Sequence, residues 1–169
     1  MNVLTVEDAK ERLGGKEPDV FACELSARLE AAGAYLIPSD SGAKVVLSRF
    51  IARLLPQNRS TFLCLGIWNV WPSSENLDLF YGYRRSHGES RPLIEAPVHV
   101  FESAEEDAFV SILCMAFYFV WDAWIFDIDG TVLIKVSHDE WLEGWSSDPK
   151  VRATFTARLM EYGMKPISG

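Results

Sequence analysis

Asp127 and Asp129 stand two residues apart at the end of the apolar run Ile125-Phe126, and Gly130 follows them. Two carboxylates at that spacing can hold a divalent metal, or divide nucleophilic and proton-transfer work between them. Further on, Ser137-His138-Asp139-Glu140 sets an imidazole beside two acids, a group suited to acid–base chemistry or to one edge of a metal site. No second histidine lies at ligand spacing, since His87 and His99 are far off in the chain. Neither a metal nor any other cofactor is therefore expected, and His138, Asp139 and Glu140 read as a strand end followed by solvated acids. A third group is aromatic and cationic. Tryptophans come in the pairs Trp68/Trp71, Trp121/Trp124 and Trp141/Trp145, with Tyr81, Tyr83, Arg84, Arg85 and Arg91 between the first two. Tryptophan with arginine is typical of binding hot spots, and tryptophan at an element's end also serves to cover the edge of a core.

Ile125-Phe126-Asp127-Ile128-Asp129-Gly130-Thr131-Val132 resembles the first motif of haloacid-dehalogenase-like phosphatases. The resemblance implies a nucleophilic Asp127, an acid/base Asp129 and Mg²⁺ between them. It covers these eight residues. The family's later motifs, among them a lysine and a second acidic pair, have no counterpart in the 40 residues after Asp129. No Asp-Asp pair occurs there, and Lys150 falls at the start of the last expected helix. The same eight residues also read as a β-hairpin, because an Asp-Gly pair between two strand-like runs favours a type I′ turn. Short motifs without their context match by chance, so the hairpin is the reading taken forward. No P-loop, Gly-x-Ser-x-Gly or dinucleotide fingerprint is present.

The elements that must position these residues follow from periodicity and caps. Thr5, with Asp8 three residues on, opens a short helix that Gly14 ends. Pro18 suits the first turn of a second helix, with Val20, Phe21, Leu25 and Leu29 at helical spacing and Gly33 at its close. Asp40 or Ser41 caps a third, which stops before Pro56. Its apolar stripe holds Val46, Leu47, Phe50, Ile51, Leu54 and Leu55, with Lys44, Arg49 and Arg53 on or beside the other face. Thr61 to Val70 and Leu77 to Arg85 read as two antiparallel strands joined by the Trp71–Asn76 loop. Residues 86–97, with Gly88, Pro92 and Pro97, read as an exposed irregular loop. Ser103-Ala104-Glu105-Glu106 is a capping box ahead of a helix running to about Val120, apolar almost all round and therefore central. The hairpin at Asp129-Gly130 comes next. A final helix opens at Asp148-Pro149 and closes at Gly163, with Val151, Phe155, Leu159 and Met160 as its core residues. The sum is an α+β fold in one domain over 1–169: an antiparallel sheet of about four strands, packed against the central helix and the N-terminal helices.

Composition bounds what such a domain does. The chain has 169 residues, of which 49% are apolar and 24% charged, enough to build a core without disulfides or metals. Cys23, Cys64 and Cys114 are far apart among apolar neighbours and read as buried free thiols in a reducing compartment. No signal peptide is visible, and the longest apolar stretch, Ala108 to Trp121, is too short to span a membrane. A soluble, cytoplasmic protein is expected. The net charge of −8 disfavours nucleic acid and anionic lipid as partners. Ten of the acids lie in residues 101–143 against Lys135 alone, a local −9, while residues 41–74 hold four cations and no acid.

Two classes of function fit. One is a non-catalytic protein-binding module that uses its acidic face on a basic partner, as an immunity-type antagonist does. The other is a small enzyme or ligand-binding protein with a pocket of Trp68, Trp71, Tyr81, Tyr83 and Arg84. The absence of a complete catalytic motif favours the first. The residues singled out for binding are Trp68, Trp71, Tyr81, Tyr83, Arg84, Arg85, His138, Asp139 and Glu140.

Overall fold

The computed structural model of the chain describes residues 1–66 and 74–167, with side chains outside residues 74–76. Strand β1 (Asn2–Leu4) leads into α1 (Val6–Arg12). The expected capping box holds: Asp8 N donates to Thr5 Oγ1 at 3.0 Å, and the Asp8 carboxylate accepts back from Thr5 N. Pro18 stands in the first turn of α2 (Pro18–Arg28). This helix ends before the expected Gly33. Glu30–Leu36 form strand β2, and Gly33, at φ +113°, sits where the register slips between Ala31 and Gly33. The slip is a β-bulge, which a glycine accommodates at little cost. Asp40 caps α3 (Ser41–Leu54), whose Leu47 and Ile51 are fully buried. Lys44 does not take the outer face expected of it. It is buried, and its Nζ donates to Phe117 O at 3.1 Å. An ammonium group at the C-terminal carbonyls of another helix is favoured by that helix's dipole.

Strand β3 (Thr61–Leu65) is buried throughout. The expected partner strand over 77–85 is instead part of helix α4 (Ser74–Ser86). The alternation of Leu79, Tyr81 and Tyr83 misled because the residues that matter are Phe80 and Arg84, one helical turn apart and both fully buried, while Leu79 is 57% exposed. Residues 87–97 are irregular as expected but not wholly exposed, since Glu89, Leu93, Ala96 and Pro97 are buried. Strand β4 (Val98–Phe101) follows, then a 3-10 turn (Ser103–Glu105) and the central helix α5 (Glu106–Tyr118). The capping box lies one residue earlier than expected: Glu105 Oε2 accepts from Glu102 N at 3.0 Å. Ile112, Leu113 and Ala116 of α5 are fully buried. Strands β5 (Ala123–Asp127), β6 (Val132–Ser137) and β7 (Trp141–Ser146) form a meander, and α6 (Pro149–Glu161) closes the described chain, with Asp148 as its cap. Phe155 and Leu159 of α6 are buried, but Met160, expected in the core, is 59% exposed.

All strands join one antiparallel sheet in the order β1-β4-β3-β5-β6-β7-β2. The fold is α+β with an antiparallel sheet, as expected. The sheet has seven strands rather than about four, because β1 and β4 are very short and β2 and β7 are interrupted by glycine. Both edges are blocked. Ala34 and Leu36 of β2 pair with Ile167 and Lys165, and Val3 O of β1 accepts from Arg91 Nη2 at 2.8 Å. Blocked edges leave little for another strand to add to.

The two faces of the sheet differ. On the inner face, Leu63, Ile125, Ile134 and Leu142 pack with residues of α3, α4, α5 and α6. On the outer face, Phe62, Val100, Phe126 and Leu133 meet Ala9, Leu13, Ala22 and Leu25 of α1 and α2. No helix of the described residues is long and apolar enough to cross a membrane. The inner face is closely fitted around α6: a Cβ on Gly144 would lie 2.7 Å from the Phe155 ring. Gly144→Ala is expected to cost about 1–3 kcal/mol through overpacking, read as a lower urea midpoint with an unchanged m-value.

Candidate interaction surface

Helix α2 covers only one end of the β5–β6 hairpin on the outer face. Phe21 packs on Phe126 at 5.2 Å between ring centres, and Leu25 and Arg28 close on Gly130. Beyond that end, alternation along the strands turns a different set of side chains outward: Trp124 from β5, Lys135 from β6, and Trp141, Glu143 and Trp145 from β7. Cross-strand register sets Trp124 opposite Lys135, Lys135 opposite Glu143, and Glu143 opposite Ala34 of β2. All three tryptophans are partly exposed. Leu36, opposite Trp141, is 45% exposed.

The charges on this face are arranged unequally. Lys135 Nζ lies 5.2 Å from the Trp124 ring centre and 5.1 Å from that of Trp141. The ammonium group is thus spent on two indole faces, a cation–π contact at each. Trp145 leans towards Trp124, with ring centres 6.5 Å apart. Glu143, between Trp141 and Trp145 on β7, has no hydrogen bond or ion pair among the described residues. Burial pushes its pKa above the usual carboxylate value, and Lys135 opposes that only in part.

The β6–β7 turn forms the rim. His138 Nδ1 lies 3.0 Å from Asp122 Oδ1, which also accepts from His138 N at 2.6 Å. His138 Nε2 is 3.5 Å from Asp139. Glu140, at φ +61°, is exposed, and its carbonyl accepts from Ile37 N. His138, Asp139 and Glu140 therefore share one end of the sheet with Trp124, Lys135 and Trp141.

The remaining residues singled out from the sequence are elsewhere. Arg84 lies inside the core, its guanidinium carbon 5.2 Å from the Phe80 ring centre and 5.7 Å from that of Tyr81, whose hydroxyl accepts from Leu93 N. Tyr83 packs on His87, and Arg85 is exposed. No hydrogen bond, ion pair or ring contact among the described residues joins any of these four to His138, Asp139 or Glu140. Trp68 and Trp71 lie outside the described residues. Lys135, Glu143 and Leu36 were not singled out. The signal for Glu143 was Trp141-x-Glu143-x-Trp145, an alternation that places these three residues on one side of a strand, whereas Lys135 and Leu36 join them through the register of β6 and β2 on β7.

Asp127 ends β5 and Asp129 lies in the β5–β6 connection, an antiparallel hairpin as expected. The turn is wider than type I′: Gly130 alone in the loop has positive φ, and Gly130 N donates to Asp127 O. Asp127 is fully buried and accepts from Thr131 N at 2.8 Å, Val132 N at 2.7 Å, Thr131 Oγ1 at 3.1 Å and Arg59 Nη1 at 3.3 Å. Arg59 Nε bridges to the exposed Asp129 at 2.9 Å. With its oxygens so occupied, Asp127 anchors the loop and is poorly placed to attack phosphorus. Cys64 is buried as expected and Cys114 is partly so, but Cys23 is exposed on α2.

Asp127→Asn is expected to cost about 1–3 kcal/mol, since it turns charge-assisted acceptance into a mismatch of donors. Urea denaturation measures this. The pKa of His138 is raised first by its hydrogen bond to Asp122 and then by that residue's charge. The pair's contribution is therefore present below the unfolded histidine's pKa and is lost as pH rises through the folded one. An NMR titration should show the His138 midpoint fall in Asp122→Asn. No family model, no curated protein and no solved structure matches the chain.

Proposed function

We propose that this chain is a non-catalytic protein-binding module, and that the uncovered part of its outer face receives a basic partner protein. The observation that carries this reading is Glu143. A half-buried carboxylate stands between Trp141 and Trp145 with no hydrogen bond or ion pair among the described residues, while the nearest ammonium group, that of Lys135, lies over the Trp124 and Trp141 rings and offsets its charge only in part. Arginine from a partner fits such a slot: its planar guanidinium stacks on indole and offers paired donors to a carboxylate. Asp122, Asp139 and Glu140 at the rim add negative potential, which speeds encounter with a cationic surface and sets orientation. A partly exposed tryptophan cluster supplies the apolar area for hot spots. An antagonist that neutralises a basic protein, as immunity-type proteins do, is the role that suits such a face. The competing reading, a pocket built on Arg84, is not favoured, because Arg84 lies in the core rather than in a cleft.

The test is affinity capture from the source lysate at low ionic strength, with wild type and variants side by side. A basic protein should be retained and then released by salt. Glu143→Gln should weaken its binding about 30-fold or more, the order found when one member of a hydrogen-bonded interfacial charge pair is removed, while leaving the melting temperature unchanged or slightly higher. Trp141→Ala should weaken it by a similar factor. Equal retention by wild type and Glu143→Gln contradicts the reading.

A further inference from the structure

Three polar side chains surround the Phe80 ring in the inner core, and all are fully buried: Arg84, His99 and Trp121. The Arg84 guanidinium carbon and the Trp121 ring centre each lie 5.2 Å from the Phe80 ring centre, and the His99 ring centre lies 5.8 Å from it. Arg84 Nη2 donates to Ala96 O at 2.9 Å. Its Nε and Nη1, both ring nitrogens of His99, and Trp121 Nε1 have no hydrogen-bond partner among the described residues. The carbonyls of Leu63 and Pro97 lie close enough to His99 to favour its charged form, but neither reaches hydrogen-bond geometry.

Charge is as unbalanced as hydrogen bonding. Among the described residues the acid whose charge reaches Arg84 is Glu89, and Arg84 shares it with Arg91. Arg91 grips it with Nε at 3.0 Å and Nη2 at 2.6 Å, holding its pKa down to about 2. His99 brings no charge, because burial pushes its pKa down to about 3. A buried guanidinium that shares its one acid with a second arginine is costly, and buried donors without acceptors add to that cost. The unpartnered atoms are also one-sided. Guanidinium and indole nitrogens only donate, and a neutral imidazole offers one donor and one acceptor. Water would bring donors as well as acceptors. An anion brings acceptance and the further negative charge that Glu89, shared with Arg91, does not supply.

We propose that Arg84, Trp121 and His99 bind one small inorganic anion of halide size within the inner core. With all three side chains fully buried, an anion of halide size asks for the least room between them. The site is on the opposite side of the sheet from the tryptophan surface and does not depend on the function proposed for it.

The probe is chloride, varied at constant ionic strength against a bulky organic anion, with the melting temperature as readout. In wild type the melting temperature should rise with chloride and level off, as one saturable site requires. Trp121→Phe, which keeps an aromatic ring and removes the indole N–H, should raise the half-saturating chloride concentration about tenfold. Arg84→Met should abolish the rise. Crystals grown in bromide should show one anomalous peak beside Arg84, and this measurement stands even if Arg84→Met does not fold. A melting temperature indifferent to chloride, or one rising without saturation and equally in wild type and Trp121→Phe, overturns the proposal. So does an Arg84→Met protein more stable than wild type at every chloride concentration.

Discussion

A sheet has two faces to bury, and this chain divides its helices unevenly between them. Helices α3, α4, α5 and α6 all pack on the inner face, with Ile112, Leu113 and Ala116 of α5 at its centre. Among the described residues the outer face has only α1 and α2, and they sit over β1, β4, β3 and one end of the β5–β6 hairpin. Burial of apolar area drives folding at roughly 25 cal/mol per Å². The strands therefore carry apolar residues on both sides where helices lie above and below, as in β3. They change character where cover stops. Along β7, Leu142 turns inward and is fully buried, while Trp141, Glu143 and Trp145 turn outward. The tryptophan surface is thus a consequence of where α2 ends.

Buried charge is handled in three different ways in the same molecule. Asp127 is surrounded by donors from its own loop and by Arg59, so its carboxyl oxygens are all engaged. Lys44 is answered by a helix C-terminal carbonyl and the nearby Tyr118 ring. Arg84 has one carbonyl and aromatic faces for a full positive charge. The first two are closed arrangements that stabilise the fold. The third leaves donors over, and for that reason it alone points to something beyond the chain.

Local signals were legible in the sequence, and long-range ones were not. Thr5, Asp40 and Asp148 each cap the helix they were expected to cap, because a cap is decided within four residues. The apolar α5 and the Asp129-Gly130 hairpin were legible for the same reason. Strand β2 was hidden: its partner β7 is more than a hundred residues away, and its alanines and glycine carry no β-propensity. Helix α4 was mistaken for a strand because Arg84, a charged residue, occupies an inward position that periodicity assigns to an apolar one. Of the candidate site, the rim at His138, Asp139 and Glu140 was singled out. Its centre at Glu143 was not, since only the register of β6 against β7 shows that Lys135 stands opposite it and is already engaged.

On the proposed function, the part of the outer face that α1 and α2 leave open recognises a cation presented by a partner. The most direct measurement is an NMR titration of the six indole N–H signals with a short arginine-rich peptide at low ionic strength. Trp141 and Trp145 should shift together and saturably, Trp121 should stay still inside the core, and added salt should reverse the change. Shifts confined to other tryptophans, or no saturable shift at Trp141 and Trp145, would contradict that function.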